Sequence, residues 1–398
     1  MARKTFSLEA PDRLKLLPPY LFAEVDKAKR ELVHQGKDVI DLGVGDPDIP
    51  TPDFIVEALI QGARDPRNHR YALDSGMPEF RDSISRWFQK RFKVRLDSEK
   101  EILPLLGSKE GIAHFPLAVL HPGEVSLIPD PGYPPYRSGT LFAGGIPSFM
   151  PLAETNDFLP DLKAIDPEAL KRAKLLYLNY PNNPTAAIAT KAFFQDAVEF
   201  AREHGFLIAQ DAAYSEITYN GYEAPSILET EGAREVAVEF HSLSKTFNMT
   251  GWRVGFAVGN REALALLAKV KSNVDSGIFQ AVQLAGKKAL EEGAEFLRKN
   301  LALYQKRRDI VVQGFQRMNW PFNAPQATLY CWIPVPPGST SAELALKFLK
   351  ELHVVVTPGN GFGPNGEGYF RISLTVSESR LEEAIGRIES THSHPHKK

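Results

Sequence analysis

Lys245 stands between hydroxyls, in Ser242-Leu-Ser244-Lys245-Thr246, and Arg253 follows it by eight residues. Most lysines are solvated and lie on exposed faces. An alternating apolar run (Val236, Val238, Phe240) precedes this stretch and Val254 to Gly259 follows it, which predicts a strand on each side and places Lys245 in a loop between them. Positive charge nearby lowers the pKa of an amine, and a partly neutral amine condenses with carbonyl groups. Asp211 is the second candidate, coming just after the apolar stretch Phe206 to Ala209. A carboxylate in that position is costly to desolvate unless a cation meets it. The third is Arg371, in the otherwise apolar strand Tyr369-Phe-Arg-Ile-Ser-Leu374. A guanidinium there calls for a carboxylate as bidentate partner, either a ligand's or one of the protein's own.

The elements around these residues read as alternating strands and helices. A strand from Ile102 to Leu106 turns at Gly107-Ser108-Lys109-Glu110-Gly111 into an apolar-periodic helix, so free N–H groups and a serine hydroxyl meet at a helix start, an arrangement that binds phosphate. No Walker-type lysine loop competes for that role. Val125 to Pro129 runs into Asp130-Pro-Gly-Tyr133-Pro-Pro-Tyr136, a rigid turn at a strand's carboxyl end, where open α/β sheets place ligands. The strand Leu175 to Leu178 delivers Asn183 in a run of turn formers, and a helix from about Lys191 to Glu203 leads to Asp211 and Tyr214. The spacings Asn183 to Asp211 and Asp211 to Lys245 each suit one crossover.

Nearer the amino terminus, a helix bearing Leu21, Val25, Ala28 and Leu32 is closed by Gly36, and a short strand Val39 to Leu42 precedes Gly43-Val-Gly45-Asp-Pro-Asp48, where backbone can approach a ligand. Thr51 is the expected N-cap of the next helix, with Pro52 at its first position. Helical patterns fill 261 to about 317. Strand 328–333, helix 341–352, strand 353–357, strand 369–374 and helix 377–390 then make a smaller C-terminal part, with Pro358 to Gly366 as a flexible loop.

Composition narrows the classes. A chain of 398 residues suits two domains, or a large one with a satellite. With 47 basic and 49 acidic residues the net charge is −2, which predicts neither nucleic acid nor an anionic membrane as partner. The single cysteine, Cys331, lies in an expected buried strand and leaves no disulfide framework or cysteine-rich metal site. Arg3 and Lys4 are not followed by an apolar core, so no secretory signal is expected, and a cytoplasmic protein without a resident metal is the default. The tail with His392, His394 and His396 is expected to be disordered.

Ser-Leu-Ser-Lys245 followed by Gly251-Trp-Arg253-Val-Gly255 resembles the lysine signature of class I aminotransferases, the fold type I enzymes that use pyridoxal 5′-phosphate, and the likeness extends over roughly residues 15 to 390. The resemblance implies a large α/β domain over 51–290, with a mostly parallel sheet flanked by helices. It also implies a smaller α+β domain formed by the N-terminal segment 1–50 and the C-terminal part 291–398. By the same resemblance Lys245 carries the cofactor and moves a proton between the substrate Cα and the cofactor. Asp211 meets the pyridine nitrogen, Tyr133 stacks on the ring, and Asn183 and Tyr214 donate to its phenolic oxygen. Ser108, Lys109, Ser242, Ser244 and Arg253 also contact the cofactor, Ser108, Ser244 and Arg253 at its phosphate. Tyr71 reaches the phosphate of a partner subunit, which implies a homodimer. Gly45, Asn183 and Arg371 hold the substrate, Arg371 by its α-carboxylate, in a ping-pong exchange between amino acids and 2-oxo acids. The family's usual glycine after Thr185 is Ala186 here, so the backbone at that point is expected to differ slightly.

Pro19-Tyr20-Leu-Phe22, the Gly43 to Asp48 turn and Asp211-Ala-Ala-Tyr214 are most similar to the LL-diaminopimelate aminotransferases. That implies LL-diaminopimelate as donor, 2-oxoglutarate as acceptor, and Tyr20, Asp74 and Lys109 at the distal end of the substrate. Aminotransferases for aspartate, alanine or aromatic amino acids share every cofactor contact, and a C–S lyase would keep the same cofactor site.

Overall fold

Two-sided burial makes the inner strands of the largest sheet. In chain order the strands are β1 (Ile40–Asp41), β2 (Ile102–Leu105), β3 (Val125–Asp130), β4 (Ile146–Pro151), β5 (Ala173–Asn179), β6 (Leu207–Asp211), β7 (Ala237–Ser242), β8 (Gly255–Gly259), β9 (Tyr330–Pro334), β10 (Val354–Val355), β11 (Thr357–Pro358) and β12 (Tyr369–Ser373). They come from a computed structural model that describes residues 8–17, 23–72 and 75–392, so Tyr20, Asp74 and the tail beyond 392 lie outside the described residues. Seven strands form the main sheet in the order β2-β8-β7-β6-β5-β3-β4, and β8 alone runs against its neighbours.

Side chains alternate between the faces of this sheet. From β5, Leu175 and Tyr177 pack with Ile112, Phe115 and Phe240. Leu176 and Leu178 point the other way, into a core with Phe88, Phe194 and Phe256. A parallel sheet needs this cover on both faces, which is why its strands read as near-continuous apolar runs.

A second core is built from both ends of the chain. Ile40 and Leu42 join Leu329, Val354, Phe370 and Ile385, beside the antiparallel sheet β11-β12-β9 and the parallel pair β1-β10. Ala28 and Leu32 of the helix Ala23–His34 pack against Leu349 and Val355. Cys331 is buried in β9, where desolvation pushes its thiol pKa up and keeps it unreactive. Among the described residues, no helix is long and apolar enough to cross a membrane.

Four local expectations are corrected. Lys245 lies on a one-turn helix, Leu243–Thr246, and not in an open loop, because the Ser242 hydroxyl accepts from Ser244 N and caps the turn. Thr51 is not an N-cap: its hydroxyl donates to Asn248 O at 2.8 Å, and the helix Asp53–Arg64 starts after Pro52 without a side-chain cap. The stretch 353–357 divides between two sheets as β10 and β11. Pro358 to Gly366 is not loose, since it folds into two tight turns, Gly359–Phe362 and Pro364–Gly366, with Gly359 and Gly366 buried.

Ala186 keeps the backbone that glycine would take, with φ of 59°. Its N–H donates to Asn182 O at 3.0 Å and closes the turn that carries Asn183. A left-handed alanine costs about 1–2 kcal/mol, and glycine would cost about 0.5–1 kcal/mol in chain entropy. Ala186→Gly is therefore expected to be neutral or to stabilise by up to about 1 kcal/mol in thermal unfolding. A loss of more than that would mean the methyl group, not the dihedral, dominates at this turn.

Candidate active site

The carboxyl ends of β5, β6 and β7, with Thr250 and Arg253 from the turn before β8, surround a cavity of about 650 Å³, into which residues 43–45 and Arg371 of β12 also reach. Strand ends are where an open α/β sheet leaves backbone groups unpaired and side chains convergent.

Asp211 ends β6. Its Oδ2 accepts from the Tyr136 hydroxyl at 2.8 Å and its Oδ1 from Ala213 N at 3.2 Å, while its backbone carbonyl accepts from Asn179 Nδ2 at 2.8 Å. Among the described residues no Lys, Arg or His forms an ion pair with it. Burial therefore raises its carboxyl to about 6, with Tyr136, Ala213 and His241 offsetting part of the cost. A buried carboxylate that faces a cavity and has no ion-pair partner among the described residues is suited to a cationic ligand atom.

Lys245 donates to Gly45 O at 2.5 Å. Its pKa is lowered, first by burial, with Tyr330 and Asp46 working against that and Arg371 and Arg253 adding to it. Nearby positive charge, the cause expected from the sequence, is thus the smaller contribution.

Arg371 is 7% exposed and stretches between two parts of the chain. Nη1 donates to Asn183 Oδ1 at 2.7 Å and Nη2 to Gly43 O at 2.7 Å. The guanidinium carbon sits 4.0 Å from the Tyr330 ring centre and 4.8 Å from that of Phe362. Nε is buried with no hydrogen-bond partner, and no carboxylate pairs with the side chain among the described residues. Of the two partners the sequence left open, the internal ion pair is thereby disfavoured. Because Arg371 occupies Asn183 Oδ1, the asparagine amide nitrogen is left as a donor toward the cavity.

The anion side of the cavity is assembled at Gly107. The helix Ser108–Val119 begins there, and Gly107 suits the position twice over: its φ is 79°, and a Cβ there would overlap the Arg253 guanidinium. Arg253 is held by Thr250 O at 2.8 Å and Leu106 O at 3.3 Å, so its charge is aimed without being neutralised. Ser108, Lys109, Ser242 and Ser244 line the same cavity. N–H groups at a helix start, hydroxyls and a guanidinium are the donor set that a phosphate takes.

Tyr133 lines the cavity and meets Tyr136 edge to face at 5.7 Å. The Tyr214 hydroxyl lies 2.9 Å from that of Tyr330, and burial holds the Tyr214 phenol well above its usual pKa, so it remains a donor at neutral pH. Tyr71 stands apart from the cavity and is 86% exposed, not half-buried as its aromatic character alone would suggest.

Three residues with polar roles at the site were not singled out from the sequence. In sequence Tyr136 belongs to the rigid turn that starts at Asp130 and Tyr330 to the expected buried strand around Cys331, and the three-residue step from Tyr133 to Tyr136 in a helix start was the available signal for the first. Asn179, read as part of a turn, links Asp211 O to Asn183 N, which donates to its Oδ1 at 2.8 Å. These features fit pyridoxal 5′-phosphate: a buried amine for its aldehyde, a buried carboxyl for its ring nitrogen, and an anion seat for its phosphate.

Comparison with known proteins agrees with this chemistry. The family described as "Aminotransferase class I and II" matches residues 37–388. An LL-diaminopimelate aminotransferase of Moorella thermoacetica is 52% identical over 376 residues, covering 94% of this chain and 96% of that one. The protein of the same name from Aquifex aeolicus is 54% identical over 383 residues, covering 96% and 99%. Among solved structures, substrate-bound BacF from Bacillus subtilis has a TM-score of 0.92 at 36% identity, over 97% of this chain and 98% of that one. A probable N-succinyldiaminopimelate aminotransferase from Thermus thermophilus has a TM-score of 0.88 at 38% identity, over 93% and 99%. Sequence, fold and donor set converge, and the chain belongs to the class I and II aminotransferases, enzymes that work with pyridoxal 5′-phosphate.

Proposed function

We propose that this chain is an LL-diaminopimelate:2-oxoglutarate aminotransferase of lysine biosynthesis. The observation that carries the substrate assignment is the gradient of likeness. Identity is 52% and 54% to two proteins of that name, against 36% and 38% to solved structures bearing other names.

When bound, pyridoxal 5′-phosphate supplies an aldehyde for the amino group and a ring that draws electron density from Cα. Gly107, Ser108, Ser244 and Arg253 would seat its phosphate, Ser242 caps the turn that presents Lys245, and Tyr133 would pack on its ring. Asp211 would keep the ring nitrogen protonated, and Asn183 Nδ2 and the Tyr214 hydroxyl would donate to its phenolic oxygen. Lys245 Nζ, with its pKa lowered by burial, takes the Cα proton and returns one after the amino group has moved. Arg371 fixes the α-carboxylate of either substrate, which orients Cα–H toward that amine. Lys109, exposed at the cavity wall, is proposed for the distal carboxylate. Tyr20 and Asp74 are proposed for the rest of the distal end.

The two separate cores support a division into a domain over 51–290 and a smaller one from 1–50 and 291–398. A cytoplasmic homodimer in which Tyr71 contacts the partner's cofactor phosphate is part of the proposal, and the 86% exposure of Tyr71 beside the exposed Phe279 (44%) supports the dimer.

The test is a donor panel with 2-oxoglutarate as acceptor. LL-diaminopimelate is expected to exceed aspartate, alanine and phenylalanine in kcat/KM, by at least about 10²-fold for a site that pairs both ends of its substrate. Equal or faster turnover of any of the three would reassign the donor and leave the transaminase chemistry in place.

A further inference from the structure

Asp130 ends β3, three residues before Tyr133, and none of the roles above uses it. The residue is 3% exposed, and its carboxylate takes its hydrogen bonds from Asn365, 235 residues along the chain. Asn365 Nδ2 donates to Oδ2 at 2.6 Å, and Asn365 N donates to Oδ1 at 3.3 Å and to Oδ2 at 3.4 Å. Gly363, with φ of 136°, passes so near that a Cβ there would overlap the carboxylate. Next to this contact Gly132 N donates to Phe362 O at 2.9 Å. Burial raises the Asp130 carboxyl, and the Asn365 bonds and Arg137 offset only part of that, so the arrangement is held against a desolvation cost.

The turn fastened in this way carries Phe362 to the cavity. Its ring lies 4.8 Å from the Arg371 guanidinium carbon and meets Trp332 edge to face at 6.1 Å. Phe362 thus covers one face of the guanidinium, and Tyr330 covers the cation within 4.0 Å. A charge pair strengthens as water is excluded from it.

We infer that Asp130 is a positioning residue that clasps the 359–366 turns across the cavity, so that Phe362 covers Arg371 and keeps water from the seat of the substrate carboxylate. The inference rests on the reading of Arg371 as that seat. The clasp joins the end of a main-sheet strand to a turn between β11 and β12, so it also sets how closely the two walls of the cavity approach. Both the amino acid and the 2-oxo acid use the same seat, so loosening the clasp weakens both to the same degree.

The experiment uses the cofactor-loaded enzyme and any donor and acceptor that the unmodified protein turns over. Asp130→Asn and Asn365→Ala are expected to raise KM for both substrates about tenfold, the loss of one charge-assisted hydrogen bond, with kcat changed less than about threefold. Amide exchange in 359–366 should accelerate, while cofactor content and visible absorbance stay unchanged. The double variant Asp130→Asn/Asn365→Asp restores a donor facing a carboxylate and is expected to bring KM back to within about threefold. Unchanged exchange in 359–366 would show that no clasp exists. Faster exchange with unchanged KM would show that it does not serve the site. Loss of cofactor together with the KM change, or no recovery in the double variant, would mark Asp130 as a merely structural residue. Arg371→Lys separates the underlying reading: an unchanged KM for both substrates there removes Arg371 as the seat, whatever the exchange data show.

Discussion

Replacing Lys245 by alanine is expected to lower transamination by about 10⁴-fold or more, since one side chain supplies both the covalent anchor and the proton carrier. The fold should survive. The amine is buried with Gly45 O as its hydrogen-bond partner, and burial already disfavours its charged form, so removing it relieves a desolvation cost. Thermal unfolding of the variant without cofactor is expected at or above that of the unmodified protein. Borohydride should bleach the visible absorbance of the unmodified enzyme and leave the cofactor attached to the protein, and it should attach none in Lys245→Ala. Turnover within tenfold of the unmodified enzyme would remove Lys245 from the centre of the chemistry.

Asp211→Asn is expected to cost about 10²–10³ in kcat, the scale for removing one preorganised electrostatic partner. Its pH behaviour is the sharper test. The carboxyl is raised by burial from 3.8 to about 6, so in the cofactor-free protein it is neutral below that value. A raised carboxyl contributes stability that is present at low pH and is lost as pH climbs through about 6, because ionisation leaves a buried charge uncompensated. A cationic ring nitrogen reverses that cost. Cofactor affinity should therefore rise between about pH 5 and 7 and then level off, while in Asp211→Asn it should be lower and flat over the same interval. A rising profile in the variant would assign the titration to another group.

Those two residues were legible because their surroundings in sequence contradict their chemistry. A carboxylate after an apolar strand and a lysine among hydroxyls are both costly unless something answers them, and the cost can be read without coordinates. Six strands of the main sheet were legible for a related reason, since buried strands read as apolar runs, whereas the edge strand β4, with only Met150 buried, carries no such signal. Tyr330 was not legible: it follows the same apolar pattern as Cys331 and Ile333, and its hydroxyl meets Tyr214 only through contact between segments 116 residues apart. Asp130 and Asn365 were hidden in the same way. Gly, Pro and Asn between 358 and 366 signal freedom locally, and a single buried carboxylate from β3 removes that freedom. Thr51 shows the converse, a good local cap drawn away by a distant carbonyl. Local preference is worth about 1 kcal/mol at such positions, which one tertiary hydrogen bond can match.

Residues 43–45 hold Arg371 through one carbonyl and Lys245 through another, and Arg371 itself arrives on the final strand. The groups proposed to hold and process substrate thus depend on residues 43–45 and on β12, while those proposed for the chain's own cofactor come from between residues 107 and 253. On that reading, cleavage before β12 removes Arg371 and leaves in place every residue proposed for the phosphate and the ring nitrogen, so a cleaved chain that keeps its fold is expected to hold cofactor without transaminating.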